Sequence, residues 1–216
     1  MLKHNRYVGT IGQMFDSNPP RFHTNFYKNM VALTRKFYCG ANEDLKEADS
    51  PVSWHPVGRN HLVRATEGEW LYQCDTDQAG RPDVLLRLLY QMSKHKVDIV
   101  SGLYLNKHPE SGHIPVANVF KKDGSLEPLI SWQRGTEIME VANVGAGCLL
   151  VKNHVFKKMQ REYDCDPFDI APGLSEDYSF CSRAWKLGIP VYLCPQIEVQ
   201  HTVTHFLSAK DFGFEK

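Results

Sequence analysis

The run Trp70-Leu71-Tyr72-Gln73-Cys74 is largely apolar and breaks off into Asp75-Thr76-Asp77. An apolar run of this length predicts a buried strand, and two carboxylates at its end are costly unless a cation sits there. In an extended segment the side chains at i and i+2 share a face, so Asp75 and Asp77 can grip one hard divalent ion, directly or through water. The bland alternative is a solvated loop in which Asp77 or Asp83 helps the next helix start. That helix is announced by Gly80, by Pro82 as a first-turn residue, and by the stripe Val84, Leu85, Leu88, Leu89 and Met92, with a span of Pro82 to Lys94.

The flanking segments predict an α/β fold. Tyr7 to Ile11 reads as a strand. Phe22, Phe26, Met30, Leu33 and Phe37 recur at helical spacing, and Arg59 to Ala65 carries a second helix. Glu43 to Trp54 is polar and turn-rich, and little regular structure is expected there. Val97 to Leu103 reads as another buried strand. Strand, helix, helix, strand, helix, strand argues for a mixed, mainly parallel central sheet flanked by helices, in which ligands bind beyond the carboxyl ends of strands. Residues 104–142 change character, and Val116 to Phe120 and Leu129 to Trp132 suggest a small antiparallel meander over one side of the site. Asn143-Val144-Gly145-Ala146-Gly147 leads into a strand at Cys148 to Val151, and Val155, Phe156 and Met159 into a short helix. Ser175 reads as the N-cap of a helix burying Tyr178, Cys181, Trp185 and Leu187 and stopped by Gly188 and Pro190. Val191 to Leu193 is a final core strand. Ile197, Val199, His201, Val203 and His205 then share one face at a period of two.

Composition narrows the function. The 216 residues suffice for one domain with one substantial core, and the formal net charge of zero gives no bulk field for nucleic acid or membrane. No apolar run approaches the roughly 20 residues of a bilayer span, and Met1 to Tyr7 is polar, so a cytoplasmic protein is expected. Six scattered cysteines without a Cys-x-x-Cys pair suggest free thiols. There is no Gly-x-Gly-x-x-Gly, no P-loop and no His-Glu-x-x-His, which speaks against dinucleotide enzymes, P-loop NTPases and zinc hydrolases.

Three further groups carry candidate chemistry. Glu176-Asp177 either complements a helix dipole or supplies a general base. His201 is either a satisfied core histidine or a ligand for a manganese-like ion, and His205 shares its face. Arg59-Asn60 is either a helix surface pair or a phosphate and base contact.

In this order the pieces resemble the GT-A glycosyltransferases, specifically the small family-2-like kind of bacteria and phages. The likeness rests on Cys74-Asp75-Thr76-Asp77, the helix from Pro82, Asp98 to Leu103, Val144 to Val151, Ser175-Glu176-Asp177, Leu187-Gly188-Ile189-Pro190-Val191, a closing His201, and Arg59-Asn60. It spans roughly residues 7–205. It implies a nucleotide-sugar-binding half, about 1–103, and an acceptor half, about 104–207. Asp77, His201 and Asp75 would form the metal site for Mn2+ or Mg2+. Asp75, Arg59, Asn60 and a first loop, Thr10 to Gln13, would meet a UDP-sugar donor. Asp177 would be the base of an inverting transfer, with Glu176 beside it, and Gly145, Ala146, Gly147 and Glu176 would line the acceptor. The first loop lacks the proline usual after strand one. A Gln-x-x-Arg-Trp motif is also absent, which argues against a processive synthase. The acceptor stays open between a hydroxymethylated pyrimidine in phage DNA, met by Lys121-Lys122 and Lys157-Lys158 with Arg161, and a saccharide or small molecule. A nucleotidyltransferase and a non-catalytic sugar-nucleotide binder are the alternatives. The oligomeric state is not predicted.

Overall fold

Strand β3 (Trp70–Asp75) is buried along its first five residues and runs between two strands of opposite sense. On one side lies β1 (Arg6–Met14), parallel to it and to the edge strand β2 (Glu43–Asp49). On the other lies β10 (Cys148–Lys152), antiparallel to β3 and to β5 (Ile99–Leu103). Beyond β5 comes β11 (Val191–His201), parallel to β5 and antiparallel to β4 (Gln78–Gly80) and β8 (Met139–Val141). The sheet order is therefore β2-β1-β3-β10-β5-β11-β4, with β8 also on β11. Five of these strands share one direction, so the sheet is mixed and mainly parallel. These relations come from a computed structural model that describes residues 6–14, 21–50, 54–106, 114–133 and 135–201.

Helices cover both faces. On one pack α1 (Arg21–Tyr38) and α3 (Val84–His95), whose predicted stripe Val84, Leu85, Leu88, Leu89 and Met92 is buried throughout. Each such leucine contributes roughly 1.5–3 kcal/mol by leaving water. On the other face pack α2 (His55–Arg64), α4 (Asn153–Glu162) and α5 (Glu176–Lys186). The rings of Phe168 and Phe180 stack there at 4.7 Å, with Phe156 against both, and pin the chain ahead of α5 to that helix. A three-stranded antiparallel sheet, β7 (Leu126–Pro128), β6 (Ala117–Phe120) and β9 (Asn143–Val144), forms the expected meander.

Several expectations need correction. Glu43 to Asp49 is a strand, not irregular chain; at a sheet edge only Leu45 is buried, and the charged remainder masks the strand. The buried face of α1 runs through His23, Phe26, Tyr27, Met30, Val31 and Thr34, leaving Phe37 65% exposed; the side chain of Phe22 lies outside the described residues. Pro82 precedes α3 by two positions. The second meander strand is Leu126–Pro128 rather than Leu129 to Trp132. In α5 the buried face is Glu176, Ser179, Phe180, Cys181 and Ala184, with Tyr178, Trp185 and Leu187 only half-buried. The last two predicted strands are one strand, β11, with a register shift between Cys194 and Glu198. Val203 and His205 lie outside the described residues. All six cysteines are free thiols.

Candidate active site

The register of β1 on β3 ends at Met14 opposite Asp75, so both strands deliver their carboxyl ends to one edge of the sheet. The chain turns through Thr76 and Asp77 into β4, which pairs with the far end of β11 and sets His201 opposite Gln78. The irregularity in β11 makes this pairing attainable: its first residues lie on β5 and β8, its last on β4. As a result His201 Nε2 stands 3.5 Å from Asp77 Oδ1. His201 Nδ1 donates to the Leu105 carbonyl at 2.8 Å, and the ring meets Tyr104 edge-on at 5.2 Å. The bond from Nδ1 to a backbone carbonyl orients the ring so that Nε2 faces the carboxylate, as an outer-shell partner orients a metal-ligating histidine.

Asp75 has a different setting. Arg59, 2% exposed on α2, donates from Nη2 to both Asp75 oxygens at 3.1 and 3.2 Å. The same guanidinium donates from Nη1 to Gln73 Oε1 at 3.0 Å and the Ala146 carbonyl at 3.2 Å, and from Nε to Glu176 Oε1 at 3.3 Å. Burial disfavours the charge on Arg59. Asp75, Glu176 and Asp177 more than offset that and hold it protonated.

Asp177 sits beside this cluster at the start of α5. Burial, and after it the negative charge of Glu176, push its carboxyl above the usual range; a hydrogen bond from Ser175, the Arg59 cation and the Tyr178 N–H pull the other way without cancelling the rise. Ser175 Oγ and the Tyr178 N–H both donate to Oδ1, so Oδ2 stays outside these bonds. A carboxylate with a raised pKa and one uncommitted oxygen is suited to take a proton.

The segment Gly145 to Gly147 is buried and braces the edge of the sheet. A Cβ on Gly147 would fall onto the Gln78 amide and within 2.7 Å of Asp75 Oδ2, and one on Gly145 would fall onto the Tyr104 hydroxyl. Glycine is required here by close approach, since neither position has a positive φ. Tyr104 Oη accepts from the Gly147 N–H at 3.2 Å, and the Gly147 carbonyl accepts from the Asp75 N–H.

Set against the sequence, the structure unites Asp77 with His201 and gathers Asp75, Glu176 and Asp177 around Arg59. It revises four expectations. Arg59 is an internal counter-ion with its donors engaged, not a surface group open to phosphate. Asn60, 3% exposed, donates to Asp169 and accepts from the Phe168 N–H, so it clamps the loop before α5. Thr10 to Gln13 is strand rather than loop; Thr10 is wholly buried and its hydroxyl is bonded to the Glu67 backbone at the other end of the sheet, while Gln13 lies opposite Cys74 near the site. Glu176 is 8% exposed and committed to Arg59, so it braces the site more than it lines it. Sequence reasoning missed Tyr104, which directly follows β5 at the same sheet end, a position that could have flagged it. It also missed His23, whose Nδ1 donates to the Gln78 carbonyl at 2.6 Å and whose pKa is lowered by burial.

Among the described residues no group of three His, Cys, Asp or Glu side chains is arranged to hold a metal. Of the expected set of Asp75, Asp77 and His201, Asp77 and His201 stand together, while both oxygens of Asp75 are bonded to Arg59. A carboxylate oxygen and an imidazole nitrogen 3.5 Å apart still suit neighbouring positions on one ion, since ligands about 2.1 Å from an octahedral metal lie about 3 Å from each other. Magnesium-like ions commonly take one or two protein groups and complete their shell with phosphate and water. A cavity of about 290 Å³ lined by Tyr38, Trp70, Met92 and Lys96 lies at the opposite end of the sheet, apart from these groups.

No family model and no curated protein matches the chain. Among solved structures it is similar to A197 from STIV, with a TM-score of 0.55 and 15% identity over 92% of this chain and 86% of that one. It is also similar to GalNAc-T7, solved with UDP, GalNAc and Mn2+, with a TM-score of 0.53 and 13% identity over 89% of this chain and 37% of that one. At such identities the likeness is one of fold, and the fold is GT-A-like. Among the described residues no helix is long and apolar enough to cross a membrane.

Proposed function

We propose that the chain is a metal-dependent glycosyltransferase that moves a sugar from a nucleoside diphosphate sugar, UDP-hexose favoured, to an acceptor hydroxyl with inversion. The observation that carries this is the meeting of His201 with Asp77 at the carboxyl end of the sheet. The presence of UDP, GalNAc and Mn2+ in a structure of similar fold supports the donor and the ion.

Asp77 and His201 would hold Mn2+ or Mg2+; when bound, the ion supplies Lewis acidity that stabilises charge on the departing diphosphate. Asp75 and Gln13, at the ends of β3 and β1, would border the donor, with Asp75 held in place by Arg59. Asp177 Oδ2 takes the proton of the acceptor hydroxyl as that oxygen bonds to the anomeric carbon. The bond from this carbon to the diphosphate oxygen breaks, and its electron pair leaves with the nucleoside diphosphate. Positioned base catalysis of this kind contributes about 10²–10⁴ in rate.

A saccharide or small-molecule acceptor is favoured over DNA. Lys121 is within 4.0 Å of Glu127, Lys158 donates to the Leu187 carbonyl and Arg161 bonds Glu162, so three of the five basic groups already have partners within the protein. Incubation with UDP-glucose and Mn2+ should release UDP, and EDTA should stop it. UDP binding without release would mark a binder, and pyrophosphate release from UTP a nucleotidyltransferase. The anomeric proton coupling of the product reports inversion or retention. Glucosylation of a duplex carrying hydroxymethylated pyrimidines would return the acceptor to DNA.

A further inference from the structure

The acids gathered at the site come from distant parts of the chain: Asp75 ends β3 and Asp177 opens α5. Leu71 of β3 shares a buried cluster with Phe180 and Cys181 of α5, but that apolar packing does not reach the polar ends where the two acids sit. Arg59 spans the gap. Its one planar group reaches both oxygens of Asp75, the side chain of Glu176 next to Asp177, and the Ala146 carbonyl between the two close-approach glycines. Its orientation is set in turn by Gln73 Oε1, which accepts from Nη1. Gln73 is wholly buried in β3, and its Nε2 has no hydrogen-bond partner. A buried amide that leaves a donor unmet costs stability, a cost set against what its oxygen does for Arg59.

We propose that Arg59, oriented by Gln73, is a positioning residue that registers the donor-side carboxylate of β3 against the catalytic end of α5, and that it makes no contact with the nucleotide. This rests on the transferase function proposed above. The chemistry of the side chain is suited to the task. A guanidinium carries five donors in a rigid fork, whereas a lysine ammonium carries three on a flexible stem and cannot serve Asp75, Glu176, Gln73 and Ala146 together. Neighbouring Asn60 holds Phe168 and Asp169, so α2 also fastens the loop that leads into α5.

The test compares Arg59→Lys, Gln73→Met and the double variant for UDP affinity with Mn2+, for kcat of transfer from UDP-glucose, and for urea midpoint. Arg59→Lys should bind UDP within about threefold of wild type yet lose about 10²-fold in kcat, the effect of a misplacement of about 1 Å. Gln73→Met should fold at least as well as wild type and lose several-fold in kcat. The double variant should be no slower than Arg59→Lys alone, because Gln73 acts only through Arg59. Wild-type kcat in both single variants, multiplying losses in the double variant, or loss of UDP affinity would each overturn the proposal. If Arg59→Lys fails to fold, Gln73→Met decides alone: unchanged kcat rejects the positioning role. Failure of the wild type itself to bind UDP with Mn2+ or to transfer sugar would count against the transferase function instead.

Discussion

Asp75 and Asp77 are two residues apart, of one chemistry, at the end of one strand, yet they end in different surroundings. Asp75 is drawn inward and held by both oxygens to a guanidinium that also holds Glu176. Asp77 sits beyond the turn and faces an imidazole delivered by the last strand. The first belongs to a fixed ionic core, the second to a site that can accept an ion. The lesson is that an Asp-x-Asp pair need not act as a unit: one member is bound into the framework, and only the other is left to the proposed metal site.

The largest expected effect tests Asp177, the proposed base beside the ionic core. Asp177→Asn should lower kcat by about 10²–10⁴ and leave UDP affinity intact. The same change should not destabilise the protein at neutral pH. A raised folded-state pKa means that ionising Asp177 costs stability as pH rises through that value, and asparagine is free of this cost. Urea unfolding at two pH values checks it. The acid limb of the wild-type rate profile should fall as pH drops through a value above the ordinary carboxylate pKa of about 4. Glu176→Gln should move that limb to lower pH, because it removes a negative neighbour of Asp177.

Next comes the contrast between the two aspartates. Arg59→Met leaves Asp75 and Glu176 without their buried counter-charge and should cost about 3–5 kcal/mol in urea unfolding. His201→Ala should cost only about 1 kcal/mol, the scale of its bond to Leu105, while abolishing the Mn2+-induced rise in melting temperature. Equal losses from the two would erase the distinction drawn here.

Gly147→Ala should cost about 1–3 kcal/mol, because the added methyl collides with Gln78 and Asp75, and transfer should weaken with it. The smallest effect belongs to Thr10→Val. It should cost about 1 kcal/mol through the lost bonds to Glu67 and leave UDP binding unchanged. A change in UDP affinity would restore Thr10 to the donor site.

Much of this arrangement was readable in the sequence. The α3 stripe, the β3 strand and the stop at Gly188 are local patterns, and local patterns follow from periodicity and backbone preference. The edge strand β2 was not readable, because a strand buried at one residue has no alternation to show. The role of Arg59 was hidden for a different reason: an arginine on a helix looks the same in sequence whether its guanidinium meets solvent, phosphate or two buried carboxylates.

What the sequence alone determined is the layered α/β fold and the end of the sheet at which chemistry would gather, since side-chain periodicity and the placement of acids after an apolar run are properties of neighbouring residues. Only the tertiary structure decided which acids face outward. That choice depends on the β10 insertion beside β3, the irregularity in β11 and the placement of α2. These bring together groups as far apart in the chain as Asp77 and His201, or Arg59 and Glu176, and no local preference encodes such distances.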